Sequence, residues 1–100
     1  MPPRYHRGAG RFADKRAEQL FNGEFVRRLP ADIQRRARMR LQRVVAATRL
    51  SDLSVPPSHR LEALRGNRAG WYSIRINDQW RVCFRWTGRG AMDIEITDYH

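Results

Sequence analysis

Three stretches near the end of the chain alternate in hydropathy with a period of two: "WYSIRI", "WRVCFRW" and "MDIEITDY". Period two places successive side chains on opposite faces of a strand. The connections "NDQ" and "TGRG" are short and turn-like, so neighbouring strands must run antiparallel. Tyr72, Ile74, Ile76, Trp80, Val82, Phe84, Trp86, Met92, Ile94 and Ile96 then fall on one face, which is almost wholly apolar. Ser73, Arg75, Arg81, Cys83, Arg85, Asp93, Glu95, Thr97 and Tyr99 fall on the other. One face demands a cover, and the other is expected to display an uncovered row of arginines.

The cover lies upstream. In "DKRAEQLFNG", Asp14 suits a helix N-cap and Gly23 the position just past the end, with Ala17, Leu20 and Phe21 facing inward. In "PADIQRRARMRLQRVVAATR", residues 30–49, Ile33, Ala37, Leu41, Val44, Val45 and Thr48 recur at intervals of three and four, the stripe of an amphipathic helix. Arg35, Arg36, Arg38 and Arg43 fall outside that stripe, either as a solvated face or as an RNA contact. "SDLSVPPSH" reads as a loop, "HRLEAL" as a further short strand, and "RGNRAG" as a glycine-bounded basic loop. Residues 1–11 read as a mobile or poorly formed first strand. The expected architecture is α+β, a single domain over residues 1–100, with two N-terminal helices packed on one face of a twisted antiparallel sheet.

The chain has a net charge of +10, and 19 of its 20 basic residues are arginine. Such a surplus on a small domain calls for a polyanionic partner. Arginine forks onto phosphates and stacks on bases, which favours nucleic acid over a membrane surface. Cys83 is the one cysteine, so no disulfide forms within the chain, and its mid-strand position suits a buried thiol. His6, His59 and His100 are scattered without metal-ligand spacing, and neither a membrane-spanning run nor a signal peptide is legible. A cytoplasmic protein without cofactor or metal is expected.

The chain closes on "ITDYH". A strand running into Asp98, Tyr99 and His100 tethers three proton-handling groups beside arginines that grip phosphate. Such a set suits attack of an RNA 2′-hydroxyl on its own adjacent phosphate, a route closed to DNA. Charge and pattern alone favour a simple RNA-binding module over a nuclease.

The stretches "RRLPADIQRRARMRL", "VPPSHRLEAL", "RLEALRGNRAGWYSIRINDQWRVCFRW" and "DIEITDYH" together resemble the HigB group of bacterial toxins, within the RelE superfamily, over residues 12–100. The resemblance implies a RelE-like fold and the toxin of a type II toxin–antitoxin pair, a ribosome-dependent mRNA endonuclease that enters the A site. It also implies neutralisation by a small HigA-like helix-turn-helix antitoxin, through which alone DNA would be met. Carried over by position, Arg81, Asp98, Tyr99 and His100 match the family's catalytic residues. "LRGNR", Leu64–Arg68, matches its basic loop, with Arg65 in place of lysine and Asn67 in place of aspartate. Arg65, Arg68, Arg75 and Arg85 are the expected RNA contacts. Glu62 stands where some members carry a catalytic histidine, and the general base is left among Glu62, Tyr99 and His100. The alternatives are a non-catalytic RNA or ribosome binder of the same fold, and a basic DNA-binding regulator.

Overall fold

The computed structural model describes residues 10–99. The elements run α1 (Lys15–Phe21), α2 (Ala31–Ala46), β1 (Glu62–Ala63), β2 (Trp71–Arg75), β3 (Trp80–Thr87) and β4 (Gly90–Asp98). The four strands form one antiparallel sheet in chain order. Both helices precede the strands and pack on the sheet's apolar face, the RelE-like α+β arrangement expected.

α1 begins where Asp14 accepts a hydrogen bond from the Arg16 amide at 2.9 Å and ends before Gly23, whose φ of +89° favours a residue without a side chain. Asp14 also accepts from the Ile96 amide at 2.9 Å, and Arg16 Nη2 donates to the Ile96 carbonyl at 2.8 Å. This acid–arginine pair clips the start of α1 to the outer strand. α2 buries Ile33, Ala37, Leu41 and Val44, four members of the predicted stripe. Its helix stops at Ala46, so Thr48 falls beyond it and is exposed, and its amide is bonded to the Asp52 carboxylate. Gln34, also buried on α2, holds the α1–α2 loop by accepting from the Val26 amide and donating to the Val26 and Leu29 carbonyls.

Phe84, Leu41, Ile74, Ile76, Val82 and Ile94 are fully enclosed between the layers. Each such side chain contributes roughly 1.5–3 kcal/mol by leaving water. The expected loop after α2 contains two 3-10 helices, Leu50–Ser54 and Pro57–His59, which bring Leu53 into the core. Three arginines of α2 act as staples: Arg36 donates to the Ile76 carbonyl, Arg40 to that of Arg75 and Arg43 to that of Val55.

The alternation of β4 is interrupted. Two steps along β3, from Cys83 to Arg85, match three along β4, from Glu95 to Met92. The extra residue is a bulge, with Asp93 in the left-handed region at φ 52°. Parity inverts beyond it. Ala91, not Met92, is buried in the core opposite Trp86, and Met92 lies beside Arg85 on the polar face. Of the expected first strand, Phe12 makes one parallel bridge to Ile94; the reading of residues 1–9 lies outside the described residues.

Candidate functional site

The sheet's polar face is built from rungs. Glu62 pairs with Ser73, Ser73 with Cys83 and Cys83 with Glu95; the next rung is Arg75, Arg81 and Thr97. Paired residues of antiparallel strands share a face, so Arg81 stands at the centre of this surface. It is not the free arginine that alternation suggested: it is 8% exposed. Its Nη1 donates to Ser73 Oγ at 2.6 Å and to the Arg60 carbonyl at 3.4 Å, and lies 3.3 Å from Glu62 Oε1. The guanidinium carbon is 5.3 Å from the centre of the Tyr99 ring, in cation–π range. Arg81, Glu62 and Tyr99 therefore meet.

Asp98 and Tyr99 are held by the β2–β3 turn. Asp98 pairs with Trp80 as the last rung of the ladder. The Tyr99 amide donates to the Gln79 carbonyl at 2.6 Å, and Gln79 Nε2 donates to Asp98 Oδ2 at 3.2 Å. Asn77 fixes the turn by accepting the Gln79 and Trp80 amides. His100 lies outside the described residues.

The arginine row expected on this face is present, but each of four arginines is held in an ion pair. Arg68 pairs with Glu95 at 2.9 Å, Arg75 with Asp78, Arg81 with Glu62, and Arg85 with Asp93 at 2.8 Å. Asp93, which alternation placed on this face, reaches Arg85 from the bulge, and Asp78 reaches Arg75 from the turn, a position that strand alternation does not reveal. Arg68 also lies 4.0 Å over the Trp71 ring, while Arg65 is exposed. The excess charge lies elsewhere. Residues 1–61 hold fourteen of the twenty basic residues and five of the ten acidic ones, a surplus of nine; the rest of the chain holds six against five. Arg35 and Arg38, exposed on α2, have no bonded partner among the described residues.

Two other reactive groups are not primed for this chemistry. Cys83 is buried, and burial raises its pKa, so the thiol is not activated. His59 is also buried, beside the Leu53 carbonyl at 3.2 Å; burial is the main cause holding its pKa below the usual histidine value. Among the described residues, no three His, Cys, Asp or Glu side chains converge to hold a metal ion, and no helix is long and apolar enough to cross a membrane. Alternation placed Ser73 on this face but not as the partner of Arg81, and sequence reasoning missed Trp71 and the Arg60 carbonyl as parts of the surface. Ser73 and Trp71 share Arg81's odd parity, which was the legible signal; Arg60, with φ 48° after Pro57–His59, gave none.

A family model described as the RelE-like toxin of the type II toxin–antitoxin system HigB matches residues 10–100. The chain is similar to a protein named toxin HigB-1 from Vibrio cholerae, 40% identical over 83 residues that span 82% of this chain and 87% of the relative. It is also similar to a protein named endoribonuclease HigB from Proteus vulgaris, 30% identical over 89 residues, 89% of this chain and 96% of the relative.

Proposed function

Because the chain belongs to the HigB-like family of RelE-like toxins of type II toxin–antitoxin systems, we propose that it cuts messenger RNA in the ribosomal A site and so arrests translation. It acts in the cytoplasm as a single domain, without metal, and a HigA-like helix-turn-helix antitoxin neutralises it. The observation that carries the reading is Arg81. Its Nη1 is engaged by Ser73 and Glu62, while no acceptor among the described residues is bonded to its Nε or Nη2. Those two donors form the fork that grips a phosphate.

In the proposed reaction the 2′-oxygen attacks the adjacent phosphorus as its proton passes to a carboxylate. Glu62, more than half exposed and 3.3 Å from Arg81, is the base. The bond from phosphorus to the 5′-oxygen breaks, and that oxygen takes a proton from Tyr99 or His100. Arg81 neutralises the charge that grows on the phosphoryl oxygens. Asp98 holds the chain end in place, and Arg65, Arg68, Arg75 and Arg85 guide the strand. The products carry a 2′,3′-cyclic phosphate and a 5′-hydroxyl. A second reading, ribosome binding without cleavage, is favoured by the acidic partner beside four of the arginines. The test is to map messenger ends after mixing purified protein with translating ribosomes. New ends with cyclic phosphates, absent on naked messenger and at a 2′-deoxy position, support the nuclease; tight binding without new ends supports the second reading.

A further inference from the structure

We propose that Ser73 is a positioning residue for the cleavage reaction, seating the Arg81 guanidinium through Nη1 so that its Nε–Nη2 edge stays unpaired for a phosphate. The inference rests on the reading of Arg81 as the phosphate-binding group. Ser73 is fully buried, in the middle of β2, on the polar face between Glu62 and Cys83. A serine gains little from such a position through packing, and a buried hydroxyl must be bonded to avoid a penalty. Its oxygen accepts from Arg81 Nη1 at 2.6 Å, the shortest of the contacts at that nitrogen.

The other two contacts are of different kinds. The Arg60 carbonyl, 3.4 Å from Nη1, is turned toward it by a backbone in the left-handed region, φ 48° and ψ 56°. Glu62 is 57% exposed, so its pairing is screened by water. Once Glu62 takes a proton its carboxyl is neutral, and its attraction to the guanidinium weakens. At that moment Ser73 and the Arg60 carbonyl are what hold Arg81. A neutral acceptor suits the task, because it fixes the orientation without cancelling the positive charge the phosphate needs. With Nη1 engaged, Nε and Nη2 share one edge and point away from the serine, the geometry a bidentate phosphate contact requires.

The experiment compares Ser73→Ala, Ser73→Thr, Arg81→Ala and the Ser73→Ala/Arg81→Ala double variant on translating ribosomes, with melting curves on each. Ser73→Ala is expected to lower kcat by about 10- to 100-fold, the scale of a misplaced catalytic contact, with KM unchanged. Ser73→Thr, which keeps the oxygen, is expected to recover most of the rate. In the Arg81→Ala background, removing the serine is expected to add nothing, because its effect passes through the arginine. Nitrogen NMR of the folded wild-type protein is expected to show separate Nη1 and Nη2 signals for Arg81, which merge in Ser73→Ala.

Wild-type kcat in Ser73→Ala overturns the proposal. So does an equal further loss in the double variant, which would make the serine a general structural residue, and so does a freely rotating Arg81 guanidinium in the wild-type protein. Wild-type cleavage by Arg81→Ala is a separate outcome: it removes the reading of Arg81 itself and takes this inference with it.

Discussion

The backbone N–H of Tyr99 donates to the carbonyl of Gln79 at 2.6 Å, one residue beyond the last rung between Trp80 and Asp98. The ring that faces Arg81 is thus placed by the backbone. The apolar face of β4 ends at Ile96 and Tyr99 is 37% exposed, so cutting the chain before Tyr99 leaves the described core intact. The truncated chain is expected to keep its circular dichroism spectrum and to lose cutting by ~10²–10⁴-fold, the usual contribution of a proton-transfer group. Tyr99→Phe should show much of that loss. Normal cutting by a well-folded truncated chain would remove both residues from the reaction.

Arg81→Lys tests the fork separately from the charge. Lysine keeps the cation but cannot reach Ser73 and a phosphate with one planar group. Cutting is expected to fall by ~10²–10³-fold, close to the loss of a whole electrostatic group. Because Arg81 is buried, a stability loss of ~1–3 kcal/mol should accompany it through the unsatisfied Ser73 contact. Urea unfolding and messenger-end mapping on one preparation read both effects. A fully active Arg81→Lys protein would show that charge alone suffices.

Asp14 predicts the acid side of the stability profile. Burial by itself would raise its pKa. The Arg16 side chain, the Ile96 amide and the Arg16 charge oppose burial and hold the carboxyl below its ordinary value. A carboxyl with a depressed folded pKa stabilises the protein above its unfolded value, about 3.9, and that stability is lost as pH falls through the lower folded value. Asp14→Ala is expected to cost ~1–2 kcal/mol at neutral pH as a lost cap, and the gap to wild type should narrow below about pH 4. Melting temperatures between neutral and acid pH decide the matter; a gap that widens in acid would contradict it.

Ribosome affinity should divide along the chain's charge asymmetry. Arg35 and Arg38 are exposed without bonded partners among the described residues, whereas Arg85 is committed to Asp93. Each neutralised phosphate on single-stranded RNA adds roughly −0.7 to the slope of log affinity against log salt. Substituting Arg35 or Arg38 with alanine should flatten that slope more than Arg85→Ala does, because Arg85 guides the strand with part of its charge already offset by Asp93. Cosedimentation with ribosomes over a salt series measures it, and equal slopes for all three variants would show that the sheet-face pairs open on binding.

At the β4 bulge, Asp93 holds a φ of 52° that most side chains resist. Asp93→Val is expected to destabilise by about 1–2 kcal/mol, and Asp93→Gly to be far milder because only an exposed ion pair is lost. Equal losses in urea unfolding would argue against the bulge geometry.

The antiparallel strands, the core stripe of α2 and the cap at Asp14 were legible because each follows from local periodicity or a single side chain. The bulge was not, because "MDIEITDY" keeps its alternation through Asp93 and only the register against β3 reveals the extra residue. The burial of Arg81 was hidden for a related reason: its partners Ser73, Glu62 and the Arg60 carbonyl come from other parts of the chain. Strand parity assigns a residue to a face but does not say what else occupies that face. The acids opposite the arginines were all visible as letters. Their pairing required the turn at Asp78 and the bulge at Asp93 to be folded.

Asp14 and Ile96 are 82 positions apart and joined by a direct hydrogen bond, beside the Phe12–Ile94 bridge. In folding time, such a contact closes late: the entropy of drawing together both ends of the chain is repaid only after the intervening helices and strands have ordered. Tyr99 and Asp98 sit just past this seam, on the outer strand. A partly folded chain therefore lacks the finished surface, and damage to the seam should be felt at the site before it is felt in the core.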